Sequence, residues 1–127
     1  MTAAAEEVRR ALSRSGPIEI TTTGRRTGRP RRIPIVFHNI GGRLYISGIP
    51  SRRRRSWLAN LAADPHMTIH VLRGARADVP ATARVIDDDA ERRAVLGHVA
   101  RAWRREDVES MVGFSPLIEF TLDDPSA

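Results

Sequence analysis

The chain has 127 residues, a formal net charge of +6 and a sequence pI near 11.4. The length fits one domain over residues 1–127, large enough to bury its own core, and the absence of cysteine excludes a thiol nucleophile, a Cys-based zinc site and a disulfide framework. No stretch has the apolar run of a signal peptide or of a membrane span, so we expect a cytoplasmic protein without an integral membrane segment.

The first half of the chain reads as a helix followed by three strands. Val8 and Leu12 lie four apart, and apolar residues then recur at a spacing of two on both sides of a basic stretch. Gly41-Gly42 is typical of a two-residue hairpin turn. These patterns predict, in order, a helix over 3–14, strands over 18–23 and 33–39, and a returning strand over 44–47.

The second half alternates helices and strands. Trp57 and Leu61 share a helical face that ends at Asp64-Pro65, while Asp88 and Glu91 have the spacing of a capping box. The predicted elements are a helix over 53–63, strands over 66–71 and 76–86, a helix over 89–105, a loop with Gly113 and Pro116, and a strand over 117–122. Both tryptophans are expected to anchor the core.

This order of elements favours an α+β, mainly β fold. About six strands follow one another, mostly through hairpins, with one short helix in the middle and a longer one before the last strand. We therefore expect a small barrel of mostly antiparallel strands with helices at its edges.

The segment TTTGRRTGRPRRIP over 21–34 is the most distinctive part of the sequence. Five arginines and two glycines lie in a predicted loop between two half-buried strands. Glycine lets the backbone approach a ligand closely, and guanidinium groups bind phosphate or carboxylate through paired hydrogen bonds. The pattern predicts an anion site, although a solvated basic hairpin loop would have the same composition.

A second basic cluster consists of Arg52, Arg53, Arg54 and Arg55 at the start of the predicted helix over 53–63. Cations at a helix N-terminus oppose its partial positive charge, and a bound anion would relieve that conflict. All 21 basic residues are arginine, a bias that a GC-rich genome could impose, so their placement is more informative than their number. The alternative is a solvated charge run.

Other polar residues supply no acid, base or nucleophile set. His66 and His70 would lie roughly 13 Å apart on a strand, too far to share a metal, so no metal site is predicted. His38 and His98 have no suitable partners nearby in sequence, and Asp87-Asp88-Asp89 is explained by helix capping. Either the protein only binds a ligand, or a bound cofactor carries the chemistry.

Residues 18–72 resemble the deazaflavin-dependent nitroreductase family, whose members are split β-barrels related to flavin-binding, pyridoxamine-oxidase-like reductases. The resemblance is carried by the loop TTGRRTGRPR over 22–31 with Pro34, by the hairpin Gly41-Gly42, and by WLANL over 57–61 followed by Asp64-Pro65. It implies coenzyme F420, a deazaflavin with a phosphate and an oligoglutamate tail, with FMN as the alternative cofactor. It also implies hydride transfer from the reduced cofactor to a quinone, a nitroaromatic or another small acceptor.

The resemblance assigns cofactor contacts by position. Arg25, Arg26, Thr27 and Gly28 would hold the phosphate region, and Pro34 would line the deazaflavin pocket. Ser47 lies on the strand that would pass beneath the ring, and Trp57 and Asn60 belong to the helix beside it. The phosphate or the tail carboxylates would be bound by Arg52, Arg53, Arg54 and Arg55. No side chain is assigned a catalytic role, because the cofactor carries the hydride and the protein binds, orients and excludes water.

The sequence departs from the family pattern in two places. The family has a Gly-rich stretch and a proline before the tryptophan, where this chain has IPSRRRRS over 49–56. The nitroreductase branch also lines its acceptor site with tyrosines, whereas Tyr45 is the only tyrosine here. The acceptor is therefore not inherited from the resemblance.

Three hypotheses follow for function. The first is an F420-dependent oxidoreductase, the second a non-catalytic binder of F420, FMN or a related anionic cofactor, and the third a nucleic-acid-binding protein. Few aromatic residues lie among the arginines, which argues against a platform for single-stranded nucleic acid, and we expect no nucleic-acid partner. We also expect a homodimer, to which an exposed Phe114, Leu117 or Ile118 could contribute.

Overall fold

The structure is a computed structural model that describes residues 3–123, except for the side chain of Ala4. Its elements in chain order are α1 (Ala3–Ala11), β1 (Gly16–Thr23), β2 (Pro30–Ile40), β3 (Arg43–Ser47), α2 (Ser56–Ala63), β4 (His66–Val71), β5 (Ala77–Val85), α3 (Asp89–Ala102), α4 (Val108–Phe114) and β6 (Leu117–Leu122). The strands form a closed barrel in the order β1-β2-β3-β6-β5-β4, and all neighbouring pairs are antiparallel. The predicted α+β, mainly β barrel is confirmed.

Short turns build most of the barrel. Gly41 and Gly42 join β2 to β3 with φ of 62° and 89°, values that glycine adopts without strain. β6, the last strand in sequence, pairs with both β3 and β5 and so closes the cylinder. β2 begins at Pro30, three residues earlier than expected, because its register against β1 continues to the pair Thr23–Pro30. The expectation that Arg31 and Arg32 belong to the loop is therefore wrong.

The inward side chains of the strands form the barrel core. Ile20 and Ile69 are fully buried, and the rings of Phe37 and Phe120 meet edge to face with centroids 6.5 Å apart. α2 contributes Trp57 and Leu61 to the same core. Trp57 is therefore a core anchor, as predicted.

A second hydrophobic core lies between the barrel and the helices α3 and α4. It includes the fully buried Leu96, Met111 and Leu117. α4 was not predicted, since the sequence indicated a loop there. Leu117 and Ile118 are both fully buried, so the expectation that they could contribute to a dimer surface is wrong, whereas Phe114 is half exposed.

The helix ends follow capping chemistry in part. The side chain of Asp88 accepts a hydrogen bond from the Glu91 amide at 2.9 Å, as the capping-box spacing predicts. α3 ends at Ala102 rather than 105, and α2 begins at Ser56 rather than 53. Arg52, Arg53 and Arg54 consequently lie in the loop before α2, and Arg55 is its N-cap residue.

His38 lies on β2 beneath α3, where it packs in the interior of the protein. Its ring meets Trp103 edge to face at 5.1 Å, and its Nε2 atom is buried without a hydrogen-bond partner among the described residues. Burial lowers the pKa of His38, because the charged imidazolium would lose its hydration. Burial at this position therefore favours the neutral form of the His38 ring.

Candidate functional site

The basic turn between β1 and β2 is held by its own hydrogen bonds. The Gly24 amide donates to the Arg29 carbonyl at 2.8 Å, and the Gly28 amide donates to the Gly24 carbonyl at 2.8 Å. Gly28 has a φ of +70°, and a Cβ atom on Gly24 would lie 2.9 Å from Thr27 Oγ1. Both glycines are thus required by the backbone, and the closed turn leaves Arg25 and Arg26 exposed at its tip.

Asn60 connects this turn to α2. Its Oδ1 atom accepts hydrogen bonds from the backbone amide and from Nη1 of Arg25, each at 3.1 Å. Its Nδ2 atom donates to Thr22 Oγ1 at 3.1 Å, and both Asn60 and Thr22 are buried. The Oδ1 atom can accept two hydrogen bonds, and both come from Arg25. Asn60 therefore fixes Arg25 relative to the end of the barrel.

A cleft of about 600 Å³ lies between the turn and α2. We call it the basic cleft, and it is lined by Thr22, Gly24, Arg25, Arg26, Thr27, Arg31, Ile33, Arg55, Ser56, Trp57 and Asn60. Four of these residues are arginines, and no described residue in the lining is acidic. None of the four forms an ion pair with a carboxylate within residues 3–123.

Five arginines elsewhere on the described surface do form ion pairs with carboxylates. Arg32 pairs with Glu19 at 2.6 Å, and Arg93 pairs with Glu109 at 2.8 Å. The guanidinium N–H groups of the four arginines in the basic cleft, by contrast, are not occupied by any carboxylate of the described chain. They are therefore available to bind an anion.

The N-terminal end of α2 adds to this charge. Ser56 and Trp57 line the cleft at the first turn of the helix, where backbone amides lack partners within the helix. Arg55 gives the helix no side-chain cap and instead donates from Nη2 to the Ile49 carbonyl at 2.9 Å. Its guanidinium lies against Gly48, and burial lowers the pKa of Arg55.

A second cleft, of about 460 Å³, lies on the other side of Arg55. We call it the Phe114 cleft, and it is lined by residues 51–55 and 112–117 together with Leu58, Val85, Asp87, Asp89 and Arg92. Arg55 is the residue that lines both clefts within the described part of the chain. The two cavities are therefore neighbours that have this side chain in both linings.

The structure brings together about half of the residues assigned to the cofactor. Arg25, Arg26, Thr27, Arg55, Trp57 and Asn60 line the basic cleft, and Gly28 shapes its turn. Arg52, Arg53 and Arg54 line the Phe114 cleft instead. Pro34 is exposed on β2 and lines neither cleft, and Ser47 is buried with its Oγ donating to the Pro116 carbonyl at 2.8 Å.

Five lining residues were not among the cofactor contacts assigned from the resemblance: Thr22, Gly24, Arg31, Ile33 and Ser56. The alternation of inward and outward side chains along β1 and β2 could have identified two of these residues. Thr22 continues the inward face of Ile18 and Ile20, and Arg31 shares a strand face with Ile33. The signal was missed because the start of β2 was placed too late.

A separate hydrogen-bonded chain lies on β1, β4 and β5. His70 Nδ1 is 2.7 Å from Asp78 Oδ1, and His70 Nε2 is 2.6 Å from Thr21 Oγ1. The bond from His70 lowers the pKa of Asp78. None of the three lines either cleft, so this chain joins the strands rather than the candidate site.

Two features of residues 3–123 bear on other functions. Within that range no group of three or more His, Cys, Asp or Glu side chains is arranged to hold a metal ion. In the same range no helix combines the length and the apolar character that crossing a bilayer demands.

Comparison with known proteins places the chain in a family. Solved structures with this fold include an F420-H2-dependent reductase, FDR-A (20% identity, TM-score 0.60, 84% of this chain and 94% of that one). They also include a candidate pyridoxamine 5'-phosphate oxidase from Listeria innocua (12%, 0.65, 97% and 95%) and a domain-swapped dimer (18%, 0.61, 92% and 96%). The family model described as F420H(2)-dependent quinone reductase matches residues 2–113. The chain thus belongs to the F420H(2)-dependent quinone reductase family.

Proposed function

We propose that this protein is an F420-dependent oxidoreductase that transfers a hydride from the reduced deazaflavin to a small organic acceptor of quinone or nitroaromatic type. One observation carries the proposal: the basic cleft, beside the start of α2, is lined by four arginines that form no ion pair with a carboxylate of the described residues. Family membership supports the cofactor class. The acceptor and the direction of transfer are part of the proposal.

The residues of the basic cleft fit the phosphate region of F420. Arg25, Arg26, Arg31 and Arg55 supply positive donors without competing acids. Trp57 and Ile33 supply apolar surface next to them, which suits a ligand that is charged at one end and aromatic at the other. When bound, F420 would supply the hydride.

The chain's own residues position and shield the ligand. Asn60 holds Arg25 through two hydrogen bonds, so this guanidinium loses little freedom when an anion binds. The closed turn over 24–29 keeps Arg26 and Thr27 at the cleft mouth. Preorganised positive groups in a recess bind an anion more tightly than freely moving surface arginines do.

The double variant Arg26→Ala/Arg31→Ala tests the assignment. Neither side chain has a hydrogen-bond partner among the described residues, so its removal should leave the fold intact. We expect F420 affinity, measured by calorimetric titration, to fall about tenfold or more, because charge-assisted hydrogen bonds contribute roughly 1.5–3 kcal/mol each.

The matched control is Arg9→Ala/Arg10→Ala, which removes the same charge from exposed positions on α1. F420 should bind this control within about twofold of the parent protein, since long-range attraction is screened at physiological salt. A parallel titration with FMN separates the two cofactors. Equal F420 affinity in parent and Arg26→Ala/Arg31→Ala would refute the basic cleft as the cofactor site.

A non-catalytic binder remains the second candidate. The observation in its favour is that the described lining of the basic cleft contains no histidine and no carboxylate. It predicts tight F420 or FMN binding with no oxidation of reduced F420 by menadione or nitroaromatics. Turnover above the rate of the Arg26→Ala/Arg31→Ala variant favours the reductase.

We also propose a homodimer. The support is that one solved structure of this fold is a domain-swapped dimer and that Phe114 is half exposed. Light scattering of the purified protein measures the mass directly.

A further inference from the structure

The Phe114 cleft has a fixed floor. The Arg92 guanidinium donates to the carbonyl oxygens of Ile86, Met111, Val112 and Ser115 at 2.5–3.3 Å. Burial lowers the pKa of Arg92, and its donors are occupied by the backbone. Arg92 therefore holds the end of α4 against α3, and it is not a free cation for a ligand.

The loop before α2 forms the opposite wall and is joined to this floor. The Ser51 amide donates to the Phe114 carbonyl at 3.1 Å, and Ser51 Oγ donates to the Arg53 carbonyl at 3.1 Å. The first of these bonds places the loop before α2 against the end of α4, and the second is internal to that loop. The cleft is consequently built by three segments, 51–58, 85–92 and 112–117, of which the first and the last are about 60 residues apart in sequence.

The lining combines an apolar side with an unpaired basic rim. Phe114 lines the cleft and is 50% exposed, which makes it one of the three large apolar residues exposed in the described chain. Arg53 and Arg54 line the rim and form no ion pair with a carboxylate of residues 3–123.

Two acidic residues, Asp87 and Asp89, also line the cleft, against five arginines. Arginine is therefore in excess at the cavity even after Arg92 is set aside. A ligand with a flat apolar body and a negatively charged substituent satisfies both parts of the lining.

We infer that the Phe114 cleft is the acceptor site and that it selects aromatic acceptors carrying an anionic group, such as a sulfonate or carboxylate. The inference rests on the proposed function, because Arg55 lines both clefts and the two cavities therefore adjoin at this side chain, where an acceptor would meet the cofactor. Arg53 and Arg54 bind the anionic substituent, and Phe114 packs on the ring.

The test uses a matched pair of probes, naphthalene-2-sulfonate and naphthalene-2-sulfonamide, titrated into the full chain and followed by calorimetry and by backbone amide NMR shifts. The parent protein should bind the sulfonate about tenfold more tightly than the sulfonamide, with shifts at Gly113 and Phe114. Arg53→Gln/Arg54→Gln should reduce that preference to about twofold, and Phe114→Ala should weaken both probes.

Arg26→Ala/Arg31→Ala serves as the cross-control, because those residues line the basic cleft alone. It should leave the sulfonate affinity unchanged within about twofold. Equal binding of the two probes by the parent protein, or sulfonate affinity lost in the cross-control, would overturn the inference.

Saturating F420 separates this inference from the proposed function. If F420 binds and the sulfonate still binds, both stand, and 1,4-naphthoquinone-2-sulfonate should then show a KM about tenfold below that of its sulfonamide analogue. If F420 displaces the sulfonate, the Phe114 cleft belongs to the cofactor tail and the inference fails while the proposed function survives. If F420 does not bind at all, the proposed function fails, and the acceptor role fails with it.

Discussion

At the scale of single residues, Asn60 is the side chain on which the candidate site most depends. It is buried, it uses both ends of its amide, and it joins the inward face of β1 to the basic turn. An amide in such a position is costly to replace, because a buried partner is left without a hydrogen bond. Thr22 is that buried partner, and the exposed Arg25 would lose its anchor at the same time.

We expect Asn60→Ala to lower the free energy of unfolding by about 1–3 kcal/mol, since it strands the Thr22 hydroxyl and releases Arg25. Urea denaturation measures this loss, and Thr22→Val with the double variant gives the coupling between the two side chains. Ser56→Ala, on the exposed side of the same helix, should change stability by less than about 0.5 kcal/mol. A similarly small effect for Asn60→Ala would contradict the role given to this residue.

At the scale of elements, α4 is a helix that is stabilised by tertiary packing and not by the helix propensity of its residues. It is only seven residues long, contains Gly113, and has no side-chain cap from Asp107. Such a segment is not stable by itself, because helix nucleation is unfavourable and short helices gain few bonds. Burial of Met111 in the second core and three hydrogen bonds from Arg92, to the carbonyl oxygens of Met111, Val112 and Ser115, hold it in place.

Met111→Ala should therefore destabilise the protein by about 2–5 kcal/mol, as truncation of a fully buried methionine leaves a cavity. Thermal unfolding followed by circular dichroism measures the shift in Tm. Phe114→Ala, on the exposed side of the same helix, is the matched control and should change the Tm by much less. Equal shifts for the two variants would mean that α4 is not anchored through Met111.

At the scale of the whole molecule, an ion-pair network ties the closing strand to its neighbours. Glu119 on β6 pairs with Arg43 on β3 at 2.6 Å and with Arg84 on β5 at 2.8 Å, and Arg84 also pairs with Glu91 on α3 at 2.6 Å. The bond from Arg43, with that from Arg84, lowers the pKa of Glu119. The network spans the strands that close the barrel.

This pKa shift predicts the direction of the acid response. Because the carboxyl of Glu119 binds protons less readily in the folded than in the unfolded state, its contribution is complete above the unfolded pKa of 4.5 and is lost as the pH falls through the lower folded pKa. Both arginines are at least half exposed, so we expect the free energy of unfolding of Glu119→Gln to be only about 1 kcal/mol lower than that of the parent protein at pH 7.

Urea denaturation of the two proteins across this pH range measures the difference. It should shrink steadily below pH 4.5. A difference that stays constant or grows in acid would contradict the assigned pKa shift.

The sequence by itself determined the elements that depend on local chemistry. Alternation at Ile18 and Ile20, the glycines at 41 and 42, and the Asp88 cap each act within a few residues, and the structure has the corresponding strand, hairpin and helix start. The basic turn and the helix bearing Trp57 and Asn60 were assigned to one site through the family resemblance.

Only the tertiary structure decided which basic residues share a cavity. Arg55 turns toward Ile49 and lines both clefts, whereas Arg53 and Arg54, adjacent in sequence, line the Phe114 cleft alone. Pro34, assigned to the cofactor pocket, is exposed elsewhere on β2. The reason is that each cleft is formed by segments from distant parts of the chain, which meet when the barrel closes and α4 docks, and local patterns carry no information about those contacts.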